Sequence, residues 1–559
     1  MEYLFGILIL LGALVFFHEL GHFLVAKFFG VRVEVFSLGF GPKLVKKKVG
    51  ETQYCLSVLP LGGYVKLYGE DPTQKLTGKD ANRSFSNQPV WRRIAIAAAG
   101  PFANVVLAIV VLFIIEMAGL EPVVKGHVAK VIPHSQAWKL GLRSGDEIIE
   151  VNGHPLIRWQ EDFLGRVGKS IGREVTLTVR RDHAPLNIPF TPEVEEQWNM
   201  FCEKPATGVL KGISVIGANA SIGITRADSF AAKAGFETGD LVLSLNGVPV
   251  TYWYELKHYL SNIAQSELKF VVKRNEKTLD VLMKLPPEYF LLSSEQKEKF
   301  LGLHSYELFI TQDVVPDSPA YKAGLQVNDR LVAMNNEELT SWDHLSQLVQ
   351  VYGKDPGHFR LTYDRAGDLY IVQVFPTKVV QDHPCGVKEE KYQIGLLMNG
   401  QDMFVPPKTS FYQQKNPILA VWSAKKKSFL MAGAILKSIG KMLTGNIPLK
   451  AIGGPILIGK VAGDQLKEGI FPFLMLLAVI SINLAVLNIL PIPVLDGGHL
   501  LLFVCEAIRG KPLSERILEY ANRTGLAFLL GLLILVFYND ISRYWVHILE
   551  FLKKISGLT

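Results

Sequence analysis

Four stretches of this 559-residue chain are too poor in charge to be at home in water: residues 3–26, 94–115, 469–495 and 524–539, of 24, 22, 27 and 16 positions. The only formal charge inside any of them is Glu19. A helix needs about 20 residues to cross a hydrocarbon core of about 30 Å, so three are long enough outright and the fourth draws on its flanks. Backbone polar groups at membrane depth must be satisfied within the protein, which makes helices the form these stretches take. The expectation is an α-helical polytopic membrane protein with four transmembrane helices. A cleavable leader would need a basic start, and Glu2 is the only charge before Glu19, so the first stretch is expected to stay as a span.

Loop charge sets the orientation. Residues 27–93 hold twelve Lys/Arg against five Asp/Glu, among them Lys46, Lys47, Lys48 and the pair Arg92 and Arg93. That loop should face the cytoplasm, which puts the long segment 120–468 and both termini on the other side and returns 496–523 to the cytoplasm. The net charge of +7, from 59 Lys+Arg and 52 Asp+Glu, is therefore largely topogenic, and with no clustered basic face no nucleic-acid partner is expected. Cys55, Cys202, Cys385 and Cys505 lie far apart with no Cys-x-x-Cys, which excludes a disulfide-dense scaffold and a cysteine zinc knuckle. Cys202 and Cys385 both fall on the outer side, and sequence leaves open whether they meet.

Between the second and third spans the pattern changes to short apolar runs broken by Gly, Asn and Asp, and a unit repeats. The run Ser135 to Gly153 recurs from Ser229 to Gly247 and again from Ser318 to Asn336, at offsets of 94 and 89. Each copy reads as one helical turn ending in Gly, a tight turn with an acid (Asp146, Asp240, Asp329), an apolar strand and an Asn-Gly or Asn-Asn turn. This pattern resembles the PDZ domain, an α+β module that binds an extended peptide as an added strand. The resemblance implies that Gly212, Gly302 and Gly395, spaced 90 and 93 apart and each followed by an apolar residue, bound the loop that takes a C-terminal carboxylate. The third copy departs most, with Asn328 in place of Gly145 and Gly239 and Asn336 in place of the turn glycine. C-terminal peptide tails are one expected class of partner, and a purely steric role for the modules is the other.

The first span is interrupted by His18-Glu19-Leu20-Gly21-His22. On a helix the two histidines lie one turn apart on one face, the spacing at which two imidazoles hold one Zn²⁺, and Glu19 projects where it can take a proton from a water that the metal acidifies. Ionisable groups at membrane depth cost at least a few kcal/mol each without partners, so they should face a polar cavity and act there. Catalytic zinc takes three protein ligands. The candidates for the third are Asp496, the acid set against the third apolar block, and His499, three residues on; the prolines at 491 and 493 break the helix just before them.

His-Glu-x-x-His in the first span together with Asn488-Ile-Leu-Pro-Ile-Pro-Val-Leu-Asp496-Gly resembles the site-2 protease family of intramembrane zinc metalloproteases, and the PDZ insertion is similar to its bacterial regulator-of-sigma-E branch. Ala99 to Asn104, Gly62 to Glu70, Gly454-Pro-Ile and Asn483 extend the resemblance over nearly the whole chain. It implies zinc held by His18, His22 and Asp496, Glu19 as general base, a re-entrant β element over 36–70, and substrate held by Asn483 and Asn488, with Pro491, Pro493, Gly62, Gly63 and Tyr64 alongside. It implies single-span membrane proteins as substrates, such as a trimmed anti-sigma factor or remnant signal peptides, with membrane lipid around them. Three PDZ-like copies depart from the two or one of familiar members. A non-catalytic scaffold recruiting partners through its PDZ-like modules is the competing class; a metal-ion transporter would show internal symmetry that four spans split by an insertion lack.

The expected organisation places transmembrane helix 1 in 1–30, a cytoplasmic loop with the re-entrant element in 31–91 and transmembrane helix 2 in 92–120. PDZ-like modules follow in 121–217, 218–306 and 307–400, then an outer linker helix and the Gly-Pro-Ile segment in 401–468. Transmembrane helix 3 occupies 469–496, a cytoplasmic loop 497–519, transmembrane helix 4 residues 520–541 and an outer tail 542–559. Within the linker, 417–445 reads as a partly basic helix, either a gate against the membrane surface or a plain connector.

Overall fold

A computed structural model describes residues 2–70, 79–310, 314–355, 359–383, 385, 387–397 and 403–556. The chain divides into two compact units, one of residues 1–121 with 411–559 and one of residues 122–410.

The first unit is built on helices. In chain order they are α1 (Glu2–Phe28), α2 (Val90–Ala118), α3 (Pro417–Leu443), α4 (Pro455–Glu468), α5 (Ile470–Ile489), α6 (Asp496–Arg509) and α7 (Glu515–Ser556). Among the described residues, four segments are long and apolar enough to cross a membrane: Phe5–Phe28, Val90–Ala118, Ile470–Ile489 and Arg516–Arg543. Leu10 and Leu14 of α1, Leu107, Val111 and Leu112 of α2 and Leu477 and Ile482 of α5 form the buried centre. Glycine lets α1 and α2 touch through their backbones, since a Cβ on Gly21 would sit 2.3 Å from the Ala99 carbonyl oxygen.

Two boundaries differ from the sequence expectation. The third span ends at Ile489, and a second helix, α6, starts at Asp496 where 497–519 was expected to be a loop. The prolines at 491 and 493 stop α5 because they cannot donate to its ladder, and the buried Gly497 and Gly498 let α6 start close against the turn before it. Likewise α7 runs on to Ser556 through the expected tail. Polar contacts hold α7 near its middle: Asp540, fully buried, accepts from the amides of Gly454, Ile456 and Leu457 at 2.9, 2.9 and 3.2 Å, so it caps α4 across the fold.

Between α1 and α2 the chain forms two long antiparallel strands, β1 (Val33–Val49) and β2 (Thr52–Leu67). Both bend, so that Val35 to Leu38 of β1 lies opposite Gln53 to Leu56 and also opposite Lys66 to Gly63 of β2. The hairpin's tight end carries Glu51, whose carboxylate takes both Lys27 (2.9 Å) and Arg83 (2.7 Å); those two cations hold its pKa down at about 2. The linker helix α3 is capped by the Asn416 side chain and packs on α2 through Lys427, which meets Glu116 at 2.9 Å and Glu121 at 3.1 Å.

The second unit holds three modules, each with its own buried core, around Val128 to Leu210, Ala220 to Leu303 and Ile310 to Ile394. Each has a four-stranded sheet of one order: in the first, His154–Pro155, Glu147–Val151, Val175–Arg181 and Ala184–Phe190 are successive neighbours. The repeated serine caps the helical turn in every copy, accepting from the amides of Trp138, Ala232 and Tyr321. Asn328 takes φ +72° where Gly145 and Gly239 take +98° and +99°, so the third copy keeps the backbone of the others with a residue that tolerates this region.

The repeated acid has a partner that the repeat alone did not reveal. Asp146, Asp240 and Asp329 are at most 2% exposed, and each forms a forked pair with an arginine at the end of its third strand. Arg181, Arg274 and Arg365 approach at 2.6–2.7 Å, and each also donates to the carbonyl of the glycine closing the helical turn. A second surprise is the Cys202–Cys385 disulfide, which joins the first and third copies across 183 residues. Beside it the Trp198 indole N–H donates to Glu389 at 2.6 Å.

Candidate metal centre

α1 carries His18 and His22 one turn apart, and the turn after α5 delivers Asp496 to them. His18 Nε2 lies 3.1 Å from Asp496 Oδ2, His22 Nε2 lies 3.5 Å from Asp496 Oδ1, and the two Nε2 atoms are 3.4 Å apart. A tetrahedral ion with bonds of about 2.0–2.1 Å separates its ligand atoms by about 3.4 Å, so this triangle has the size that zinc requires. The electrostatics agree. The Nδ1–H of His22 donates to the Ile96 carbonyl at 2.8 Å, which leaves its Nε2 with only a lone pair to offer. Asp496 Oδ2 is buried without a hydrogen-bond donor. Acceptors facing one another repel, and a cation between them removes the repulsion.

The backbone around the centre is shaped to admit the imidazoles. A Cβ on Gly100 of α2 would stand 2.2 Å from His22 Nε2 and 2.8 Å from His18 Cε1, so only glycine fits. Cβ atoms on Gly497 and Gly498 would strike the carbonyl oxygens of Leu490 and Ile492 at 2.1 and 2.4 Å, because the chain folds back on itself to present Asp496. In that turn the β-branched Val494 takes φ +81°, a left-handed conformation such residues rarely adopt, so the loop beside the third ligand is strained. The turn is backed by α7, whose Gly525 lies against the Pro493 carbonyl.

Glu19 lines one cavity of about 430 Å³ with His18, His22, Asp496, Tyr64 and His499. Among the described residues the donors that converge are His18, His22 and Asp496; His499 borders the cavity without joining them. Gly63 of β2 packs against the Glu19 face of α1, its Cβ position 3.2 Å from Glu19 Cγ, and Gly62 lies on the Phe40 ring. The Asn488 amide reaches to 3.4 Å from His18 Nε2. Asn483 and Pro491 are exposed, and Pro493 is half-buried. Sequence analysis missed two supports. The Ile96 carbonyl is a backbone acceptor with no residue signature. The Arg93–Glu506 pair, 2.8 Å apart and nearly buried, ties the start of α2 to α6 and lines the same cavity.

In the PDZ-like modules, Gly212, Gly302 and Gly395 take φ of +91°, +74° and +80°, each with its Cβ position within 2.5 Å of the capping serine of its own copy. They differ in what they offer a carboxylate. The amides of Gly302 and Leu303 already donate to the carbonyls of Lys299 and Glu298, whereas in the other copies it is the glycine carbonyls that are engaged, by Ile132 and Val315. Beside Gly212 a groove lies between Trp159, Phe163 and Val167 on one side and Leu210, Ile213 and Val215 on the other.

Known proteins are similar to this chain in sequence over nearly its whole length. The profile of peptidase family M50 matches residues 6–532. The zinc-metalloprotease candidate NMA0084 of Neisseria meningitidis is 29% identical over 97% of this chain and 98% of its own length. The regulator of sigma-E protease RseP of Escherichia coli K12 is 29% identical over 96% and 97%. A solved PDZ domain protein from Parabacteroides distasonis covers 50% of this chain at 10% identity with a TM-score of 0.12, too slight a likeness to bear on the fold. On the family match and the histidines, acid and glutamate that meet in the spanning unit, the chain belongs to peptidase family M50 and is a metalloprotease.

Proposed function

We propose that this metalloprotease is an intramembrane zinc endopeptidase that cuts the transmembrane segments of single-span membrane proteins in regulated intramembrane proteolysis. The observation that carries this is the convergence of His18, His22 and Asp496 beside Glu19 on helices long enough to cross a membrane. Zinc held there supplies a Lewis acid and an acidified water. Glu19 takes a proton from the attacking water and returns it to the departing amine. A substrate helix must unwind before its carbonyl can be reached. The β2 segment 54–68, with Gly62, Gly63 and Tyr64 near Glu19, offers backbone partners to the unwound strand, and Asn483, Asn488 and the Pro491–Pro493 turn hold it from the other side.

The Escherichia coli relative is named a regulator of sigma-E, which supports a trimmed anti-sigma factor as one substrate; remnant signal peptides are a second, as the family resemblance implies. Such a role sets the enzyme in a bacterial inner membrane with the loop 31–91 cytoplasmic. The three PDZ-like modules then stand on the periplasmic side, where they turn away untrimmed ectodomains by size or read the newly cut tail. Glu19→Gln tests the chemistry: zinc content should persist while cleavage of a truncated single-span substrate falls by about 10²-fold or more, and undiminished cleavage would sink the mechanism. Comparing truncated and full-length substrates, with and without residues 121–400, tests the filter; equal cleavage of all four combinations removes it.

A further inference from the structure

The two imidazoles of the metal centre are not supported alike. His22 has its tautomer set by a fixed acceptor, the Ile96 carbonyl, at 2.8 Å from Nδ1. At His18 the corresponding partner is the side-chain amide of Asn104, placed with Nδ2 at 3.2 Å from Nδ1. Asn104 is fully buried, and its carbonyl oxygen Oδ1 has no hydrogen-bond donor. Its backbone is pinned, because the Ser481 hydroxyl of α5 donates to the Asn104 carbonyl at 2.7 Å.

The nitrogen and oxygen ends of an amide have nearly the same shape, so chemistry decides which end faces the histidine. With the NH₂ group toward Nδ1, that nitrogen must be the acceptor, the proton of His18 sits on Nε2, and Nε2 cannot ligate. With Oδ1 toward Nδ1, the ring proton sits on Nδ1, Nε2 keeps its lone pair, and the otherwise unpartnered oxygen gains a donor. Ile96, Gly100 and Asn104 follow one another at four-residue spacing along α2, on the face turned to α1. One helix face thus provides an acceptor for His22, a gap for both rings and an acceptor for His18.

We infer that Asn104 is a positioning residue of the metal centre, accepting the Nδ1–H of His18 through Oδ1 and so holding that ring in the tautomer that binds zinc through Nε2. This rests on the zinc reading given above. Outer-shell partners of this kind change metal affinity by about 10–100-fold when removed.

The test uses the full-length protein in detergent, loaded with zinc and, separately, with cobalt. Asn104→Leu keeps the volume and removes the acceptor; Asn104→Asp keeps an oxygen acceptor. Zinc retention against increasing chelator should weaken by about 10-fold or more in Asn104→Leu and stay within about threefold of the parent in Asn104→Asp. The visible spectrum of bound cobalt should change in the first variant and be preserved in the second, with thermal unfolding recorded for both. Parent-like zinc retention and cobalt spectrum in Asn104→Leu would overturn the inference, and so would equal losses in the two variants, since then the amide serves by its volume or its NH₂ group. A parent protein that retains no zinc would instead overturn the reading on which the inference rests.

Discussion

The repeated aspartates of the PDZ-like modules and the half-buried Asp496 of the spanning unit have opposite surroundings. Asp146, Asp240 and Asp329, in the PDZ-like modules, each meet an arginine fork at 2.6–2.7 Å and accept a backbone amide of their own turn at 2.8–2.9 Å. Their charge is balanced within the chain and the arrangement occurs three times. Asp496, in the spanning unit, meets two imidazole nitrogens at 3.1 and 3.5 Å, with one oxygen lacking any donor, and it occurs once. A buried charge that the chain itself neutralises holds structure together; one the chain leaves facing other acceptors is organised for a cation from outside.

The sharpest way to break that contrast is steric. Gly100→Val puts a side chain where the His22 ring stands, 2.2 Å from Nε2 at the Cβ alone, so bound zinc and proteolysis should both vanish while metal analysis and unfolding show an intact, zinc-free PDZ-like unit. Retained zinc would mean that the ligand triangle is wrongly drawn. Next in size, Asp496→Asn should weaken zinc binding at least about tenfold more than His499→Ala in a chelator titration; the reverse order would move the third ligand to His499.

The structural aspartates should respond the other way round. Asp240→Ala takes the buried carboxylate from Arg274, which keeps Glu237 and the Gly235 carbonyl, and should cost about 1.5–3 kcal/mol of the stability of the second module, read by denaturant unfolding, with zinc stoichiometry unchanged. If instead zinc is lost and the module stays as stable, the two kinds of aspartate are not distinct. The smallest effect is a pH dependence confined to the second unit. Burial, then Arg330 and Lys299, push the His304 pKa down to about 3. Between that value and about 6.5 the unfolded chain carries the extra proton, so this contribution is complete above pH 6.5 and is lost as the pH falls. Roughly 1–2 kcal/mol should disappear between pH 7 and pH 5, and His304→Gln should flatten that slope.

Much of this was legible because the signals are local. A 22-residue run without charge announces a span wherever it folds, and His18 and His22 share a face by helical period alone. The boundaries of α6 and the length of α7 were not, since α6 is short and mixed in composition and buries two glycines and Glu506 rather than an apolar stripe. The arginine partners lie 35, 34 and 36 residues beyond their aspartates, a spacing set by strand register that few residues in the intervening chain reveal. Nor could the cysteines be paired, because 183 residues separate them and each lies in a hairpin whose position depends on the packing of its module.

By itself the sequence determined the solvent of each segment, the existence of three similar modules, and the placing of two histidines and a glutamate on one helix in the membrane. These follow from residue type and helical or strand period, which act over a few positions. Only the tertiary structure decided that Asp496 and not His499 lies against His18 and His22, that Ile96 and Asn104 face the two imidazoles, and that each module acid is matched to an arginine. The contacts that decide them span 34 to 36 residues for the arginine pairs, 74 and 86 for Ile96 and Asn104, and 478 for Asp496 with His18. Contacts at that range are set by how helices and strands pack, and a backbone carbonyl, a glycine gap or a strained valine turn has no residue pattern that announces it.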